Sequence, residues 1–241
     1  MNKHTYTHFD TELEQLQQRV LLMGAQVCQQ INKAFDGYTN ADMALIEDVI
    51  ATEKTINRDE VELDEMCVQL IARHSPTAGD LRLLMTMMQM VTDLERVGDE
   101  AKKIAKAARK IIESGPAFMP SVELRHVVNL AVAMLNGALD AYVRHDLTAA
   151  AAIVRQDKEV DAIYKGVMRQ LVTFMMEDPR LISRALDIIF IAKSIERIGD
   201  HATNIAEYVV YMDKGRDIRH EGIEEMEREA RNAADGDAIE P

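Results

Sequence analysis

Apolar positions recur along this chain at helical spacing, and two sets of them match. Met87, Val91, Leu94, Gly98, Ala101 and Ala105 step by four and three alternately, and Ile188, Ala192, Ile195, Gly199, Ala202 and Ala206 repeat the steps 101 residues later. Each set is the seam of an amphipathic helix. The same periodicity runs through Leu13, Leu16, Val20, Met23, Val27, Ile31 and Ala34 near the start. Pro76, Pro179 and the Gly115-Pro116…Pro120 stretch interrupt it, and Gly37 and Gly215 offer helix stops. The pattern predicts six long helices, at about 10–37, 40–74, 77–114, 121–145, 146–177 and 179–214. Thr11 and Glu14 would form a capping box for the first. The fold class expected is all-α: two tandem three-helix bundles related by an internal repeat. Their bounds are 1–116 and 117–215, followed by an acidic, weakly ordered tail over 216–241.

The repeat is sharpest in one phrase. Leu94-Glu95-Arg96-Val97-Gly98-Asp99-Glu100-Ala101 returns as Ile195-Glu196-Arg197-Ile198-Gly199-Asp200-His201-Ala202. A second stripe runs beside the seam. It is apolar early, at Leu81, Met85 and Met88 and at Ile182, Leu186 and Ile189, and acidic late, at Glu95 and Asp99 and at Glu196 and Asp200. Carboxylates at i, i+4 point the same way and repel by roughly 0.2–0.5 kcal/mol. A bound divalent cation would reverse that sign. A single such pair is ordinary solvated helix surface, and its repetition is what makes it a candidate site. Asn204 continues the second stripe with an amide oxygen, whereas Lys103 stands at the corresponding place in the first. Glu53, Asn57, Glu60 and Asp64 on the second helix, and Asp157 and Asp161 on the fifth, are further oxygen donors. Gly98 and Gly199 each cost a helix roughly 1 kcal/mol against alanine. On the seam they would let a neighbouring helix approach.

Composition narrows the classes. Hydrophobic residues make 47% of the 241, enough for a core, while Gly (11) and Pro (5) are scarce and Trp is absent, which favours helices over sheets. A formal net charge of −13 argues against nonspecific binding to nucleic acid or to an anionic membrane. The N-terminus carries no apolar signal-peptide core, and no run reaches the ~18 apolar residues of a spanning helix, so a cytoplasmic protein is expected. Cys28 and Cys67 read as two buried thiols. His4 and His8, at i, i+4, read as a loose terminus, and the Met85–Met90 cluster as adaptable core. No phosphate loop, HExxH, GxSxG or kinase set is present, so no enzyme chemistry is predicted. A ferritin-like oxidase or iron store would need two ExxH pairs, and only Glu123…His126 occurs. A metal-independent helical scaffold is the other alternative.

The doubled ERxGD phrase, His201-Ala202-Thr203-Asn204-Ile205-Ala206 after it, and the Pro76-Thr77-Ala78-Gly79-Asp80-Leu81-Arg82 entry to the third helix resemble the PhoU family over nearly the whole chain. That resemblance implies two tandem three-helix bundles. It also implies a cytoplasmic, dimeric negative regulator of the phosphate-starvation response and of phosphate uptake. Such a regulator links the ATPase component of a phosphate ABC transporter to a membrane sensor histidine kinase, and meets the membrane only through those partners. The family's metal motif falls on Glu95 and Asp99 and on Glu196 and Asp200, with Asn204 extending the second site and Asp157 and Asp161 facing it. The resemblance implies multinuclear iron or other divalent cations there; oxygen ligands suit Mg, Mn, Ca or Fe, and Zn is the fifth candidate. Lys103, and Asn57 in the place of Asp161, predict a weaker first site.

Overall fold

The computed structural model describes residues 7–115 and 122–216 together with Arg228. His4, the boundary expected at 116/117 and, Arg228 apart, the expected acidic tail from 217 onward lie outside the described residues. Six helices occur in the predicted order: α1 (Thr7–Asn40), α2 (Met43–His74), α3 (Ala78–Glu113), α4 (Arg125–Arg144), α5 (Leu147–Glu177) and α6 (Ile182–Lys214). The described residues contain no strand. A 3-10 turn, Pro179–Leu181, leads into α6.

Several boundaries differ from the sequence expectation, each for a visible reason. α1 starts at Thr7, so Thr11 and Glu14 lie inside it and cap nothing. Phe9 is buried against His74, and Glu12 binds both Arg73 and His74 at 2.9 Å. These contacts hold the first turn to the end of α2 and draw the Glu12 carboxyl below its usual range, the His74 hydrogen bond being the largest cause. Gly37 does not stop α1. It admits α2, since a Cβ there would stand 2.8 Å from Ile46 Cγ1, and Ala41 makes the turn instead, with φ of 52°. Asp42 then caps α2 by accepting from the amides of Ala44 and Leu45. α4 begins at Arg125 rather than 121, because Leu124 is drawn into the core ahead of the first turn. Gly215 closes α6 in the left-handed region, as expected.

Helices α1, α2 and α3 pack against one another, as do α4, α5 and α6. The two bundles are joined along α3 and α6, which share the longest interface, and along α1 and α4. α3 and α6 run antiparallel. Arg82 donates to the Met212 carbonyl at one end of the pair, Glu100 meets Arg197 near the middle, and Arg184 donates to the Ser114 carbonyl at the other end. The predicted seam positions Met87, Val91, Leu94, Ala101 and Ala105, with Ile188, Ile195, Ala202 and Ala206, are all buried. Burying them on both sides makes one continuous core through the two repeats.

α4 corrects one expectation: it is long and apolar enough to cross a bilayer, by length and composition. Half of that stretch is buried against the other helices, as a core helix shared by two bundles would be. Cys28 and Cys67 are free and buried, and burial pushes their thiols up to about 11 and 12. Met87 and Met90 are core residues, while Met85 stays 39% exposed, so the methionine cluster is only partly core.

Candidate carboxylate sites and an inter-repeat clasp

Glycine decides how close the flanking helices come. A Cβ on Gly98 would stand 3.1 Å from Ile56 Cδ1 of α2, and one on Gly199 would stand 3.2 Å from Asp157 Oδ1 of α5. The helix with the ExxxD phrase therefore lies against the helix with further acidic residues, in each repeat.

In the second repeat this brings Asp157 beside Glu196 and Asp200, with Asp161 close by. Burial, then Asp200, Asp161 and Glu196, push the Asp157 carboxyl up to about 6. Asp200 stands at the solvent edge of the cluster. Partial desolvation and then Glu196 raise its carboxyl, against the pull of Lys193 and His201. Glu196 is buried and accepts a hydrogen bond from Lys193. Asp161 pairs with Lys165 at 3.2 Å.

In the first repeat Glu95 and Asp99 face Glu53, Glu60 and Asp64 of α2. Desolvation and then Asp99, Glu60 and Glu53 raise the Glu95 carboxyl. Desolvation and then Asp64 raise that of Glu60, and burial raises that of Asp64. Lys102 Nζ sits 2.6 Å from Glu53 Oε1, and Asn57 donates to the same oxygen at 3.0 Å. Lys103 does not face this cluster. It turns to Glu100 at 2.8 Å, because three residues further along α3 it lies on the α6 side. The cations at the first cluster are thus Lys102, which binds Glu53, and Arg96, which pulls on Glu60 and Glu95, rather than Lys103.

Asn204, expected to extend the second site through its amide oxygen, is held through its amide nitrogen. Its amide nitrogen donates to Asp93 Oδ1 at 3.1 Å, across the seam from Asp200. Asp93 is 2% exposed and also accepts from Tyr208 Oη at 2.7 Å, while His201 Nδ1 lies 2.7 Å from Oδ1. One carboxylate of α3 thereby takes three groups of α6 and clasps repeat to repeat. Asp93 was not singled out from the sequence. Its signal was an acid among the buried Met90, Val91 and Leu94, matched by His, Asn and Tyr at i, i+3 and i+7 on the partner helix.

Whether these clusters suit a cation can be judged from their atoms. The donors are carboxylate and amide oxygens, which suits hard divalent ions. Asn57 Oδ1 and Asp64 Oδ1 are buried without a hydrogen-bond partner, and the raised carboxyls record burial first and mutual repulsion second, both of which a cation would offset. As the side chains stand, no three His, Cys, Asp or Glu among the described residues converge tightly enough to hold a metal ion. Binding would need the lysines to yield and the carboxylates to turn inward.

Comparison with known proteins gives the same outline. The family model described as the PhoU domain matches twice, at residues 20–108 and 124–209. A Pseudomonas aeruginosa protein named as a phosphate-specific transport system accessory protein PhoU homolog is 44% identical over 237 residues, covering 96% of this chain and 98% of that protein. The Escherichia coli K12 protein of that name, without the word homolog, is 42% identical over 231 residues, covering 95% and 94%. The crystal structure of PhoU from Pseudomonas aeruginosa superposes with a TM-score of 0.83 at 44% identity, covering 87% of this chain and all of that one. A phosphate transport system regulatory protein PhoU from Streptococcus pneumoniae gives 0.80 at 29% identity, with 87% and 99% covered.

Proposed function

Because the chain belongs to the PhoU family, we propose that it is the accessory protein of a phosphate-specific transport system and restrains phosphate uptake and the phosphate-starvation response. The observation that carries this reading is end-to-end similarity, over both repeats, to a relative bearing that accessory name. In the finer reading it works in the cytoplasm as a homodimer, without catalysis of its own. It touches the ATPase component of the transporter on one side and a membrane sensor histidine kinase on the other, and meets the membrane only through them. Helices of 31–36 residues give rigid faces of about 50 Å for such docking.

Divalent metal belongs to the same proposal. Asp157, Asp161, Glu196 and Asp200 would hold one ion, and Glu95 and Asp99 with Glu53, Glu60 and Asp64 another. Bound there, a cation would supply charge neutralisation and bracing between neighbouring helices. The second cluster should fill first, since burial and then three neighbouring carboxylates push its Asp157 up to about 6. Mn²⁺ titrated into chelator-treated protein, read with the Glu95→Ala, Asp99→Ala and Glu196→Ala, Asp200→Ala pairs, would show this as two unequal affinities. Equal affinities would remove the ranking.

One observation favours a second reading, a metal-independent scaffold: the carboxylates do not converge as they stand. A phosphatase reporter in phosphate-rich cells tests both. Deleting the chain should switch the reporter on, and a silent reporter would end the regulatory reading. Glu196→Ala with Asp200→Ala should also switch it on if metal matters, and leave it off under the scaffold reading.

A further inference from the structure

The internal repeat relates the two ends of the α3/α6 seam, and at these ends the sequences part. Asp93, with His201, Asn204 and Tyr208, fills one end. The residues 101 positions away, which form the other end, are Ser194, Glu100, Lys103 and Ala107. Tyrosine is replaced there by alanine, and the buried acid by a buried serine. Volume and negative charge are both missing. A groove of about 400 Å³ opens at that place, between Lys103, Lys106, Ala107 and Lys110 of α3 and Asp187, Phe190, Lys193, Ser194 and Arg197 of α6.

Its lining carries five cations against one carboxylate, on a chain whose net charge is −13. Lys106 and Lys110 are at i, i+4 on α3 and face Lys193 and Arg197, at i, i+4 on the antiparallel helix. Lys103 and Arg197 share Glu100, and Lys193 binds Glu196. No ion pair among the described residues engages Lys106 or Lys110, and both are exposed. Phe190, at the same groove, is 61% exposed and leaves its ring free to stack on a ligand there.

From this we infer that the α3/α6 groove is a binding site for a phosphorylated nucleotide, with its phosphates on Lys106, Lys110, Lys193 and Arg197 and its base against Phe190. The ligand does for this end of the seam what Asp93 does for the other. Lys103, Lys193 and Arg197 already have carboxylate partners and Lys106 and Lys110 do not, whereas an oligophosphate meets several ammonium groups and a guanidinium at once. The volume lies within the range of small-molecule sites. The inference stands apart from the regulatory reading, and it shares Lys193 with the second carboxylate cluster, where that lysine binds Glu196.

The test is calorimetric titration of the full-length protein with ATP, and separately with tripolyphosphate, in low salt with EDTA so that no metal bridges the phosphates to carboxylates. Wild type should bind ATP saturably with one site per chain. Lys106→Gln with Lys110→Gln, both exposed positions that the fold tolerates, should weaken it by at least ~10-fold. Phe190→Ala should weaken ATP several-fold and leave tripolyphosphate unchanged. Ser194→Asp, which restores the missing acid, should abolish both. Absence of saturable ATP binding to wild type overturns the site, as does equal affinity in the double-lysine variant. Equal binding of ATP and tripolyphosphate, insensitive to Phe190→Ala, overturns the nucleotide assignment.

Discussion

Replacing Asp93 with alanine should cost the fold about 3–5 kcal/mol, the range found when one partner of a buried charged network is removed. Three polar groups of α6 converge on this carboxylate, and two of them, the Tyr208 hydroxyl and the His201 ring nitrogen, lie at 2.7 Å. Taking the acceptor away leaves these groups without their shared partner in the seam. The loss falls on the contact between repeats. Urea unfolding should therefore show a lowered midpoint with m nearly unchanged if the bundles still unfold together, or a split transition if the clasp was what coupled them. Asp93→Asn keeps one acceptor oxygen and should lose about half as much. A shift under 1 kcal/mol for the alanine variant would mean that the clasp is incidental. Glu100 offers a contrast. It is equally buried, but its partners Lys103 and Arg197 are half exposed and its Oε2 has no partner. Neutralising it as glutamine should cost little, because the two cations left behind reach solvent.

The second large effect has the opposite sign. Asp157→Asn should stabilise the cation-free protein at pH 7.5. Folding raises the Asp157 carboxyl from an ordinary 3.8 to about 6, so the folded state holds this proton more tightly than the unfolded chain does. That favourable contribution is complete below pH 3.8 and is lost as pH rises through about 6. Above that, the ionised group opposes folding, by an upper limit of about 3 kcal/mol. The side chain is partly exposed, so solvent screening brings this to about 1–2 kcal/mol. Thermal melts of wild type at low and neutral pH should show the decline, and Asp157→Asn should flatten it. Mn²⁺ separates the explanations. It should raise the melting temperature of wild type at pH 7.5 and do little for the asparagine variant, so that the ranking of the two proteins reverses when metal is added. Destabilisation by Asp157→Asn in chelator would show that the carboxylate is held by partners rather than repelled by neighbours.

Much of the architecture was legible in the sequence because helices are local. The 3.6-residue period, Pro76, Pro179 and Gly215 predict six helices to within a few residues, and the 101-residue repeat predicts two like bundles. The boundary errors arose where a distant contact outweighs a local signal. Phe9 and Glu12 are held by α2, Leu124 is pulled into the core, and Gly37 serves an approaching helix rather than a turn. The carboxylate clusters were half legible: i, i+4 spacing places Glu95 with Asp99 and Glu196 with Asp200, whatever surrounds them.

What faces those pairs is a matter between helices, and only tertiary structure decides it. By itself the chain determined helix content, repeat and family, because periodicity and motif spacing need no partner. The packed structure decided that Lys102 rather than Lys103 meets the first acidic cluster, that Asn204 turns to Asp93, and that one end of the α3/α6 seam is closed by a carboxylate while its repeat-related end stays open. The reason is rotational. A side chain's neighbours across a helix interface depend on the axial rotation and antiparallel register of two helices. Those are set by the whole buried seam, from Met87 to Ala105 and from Ile188 to Ala206, and no short stretch of sequence encodes them.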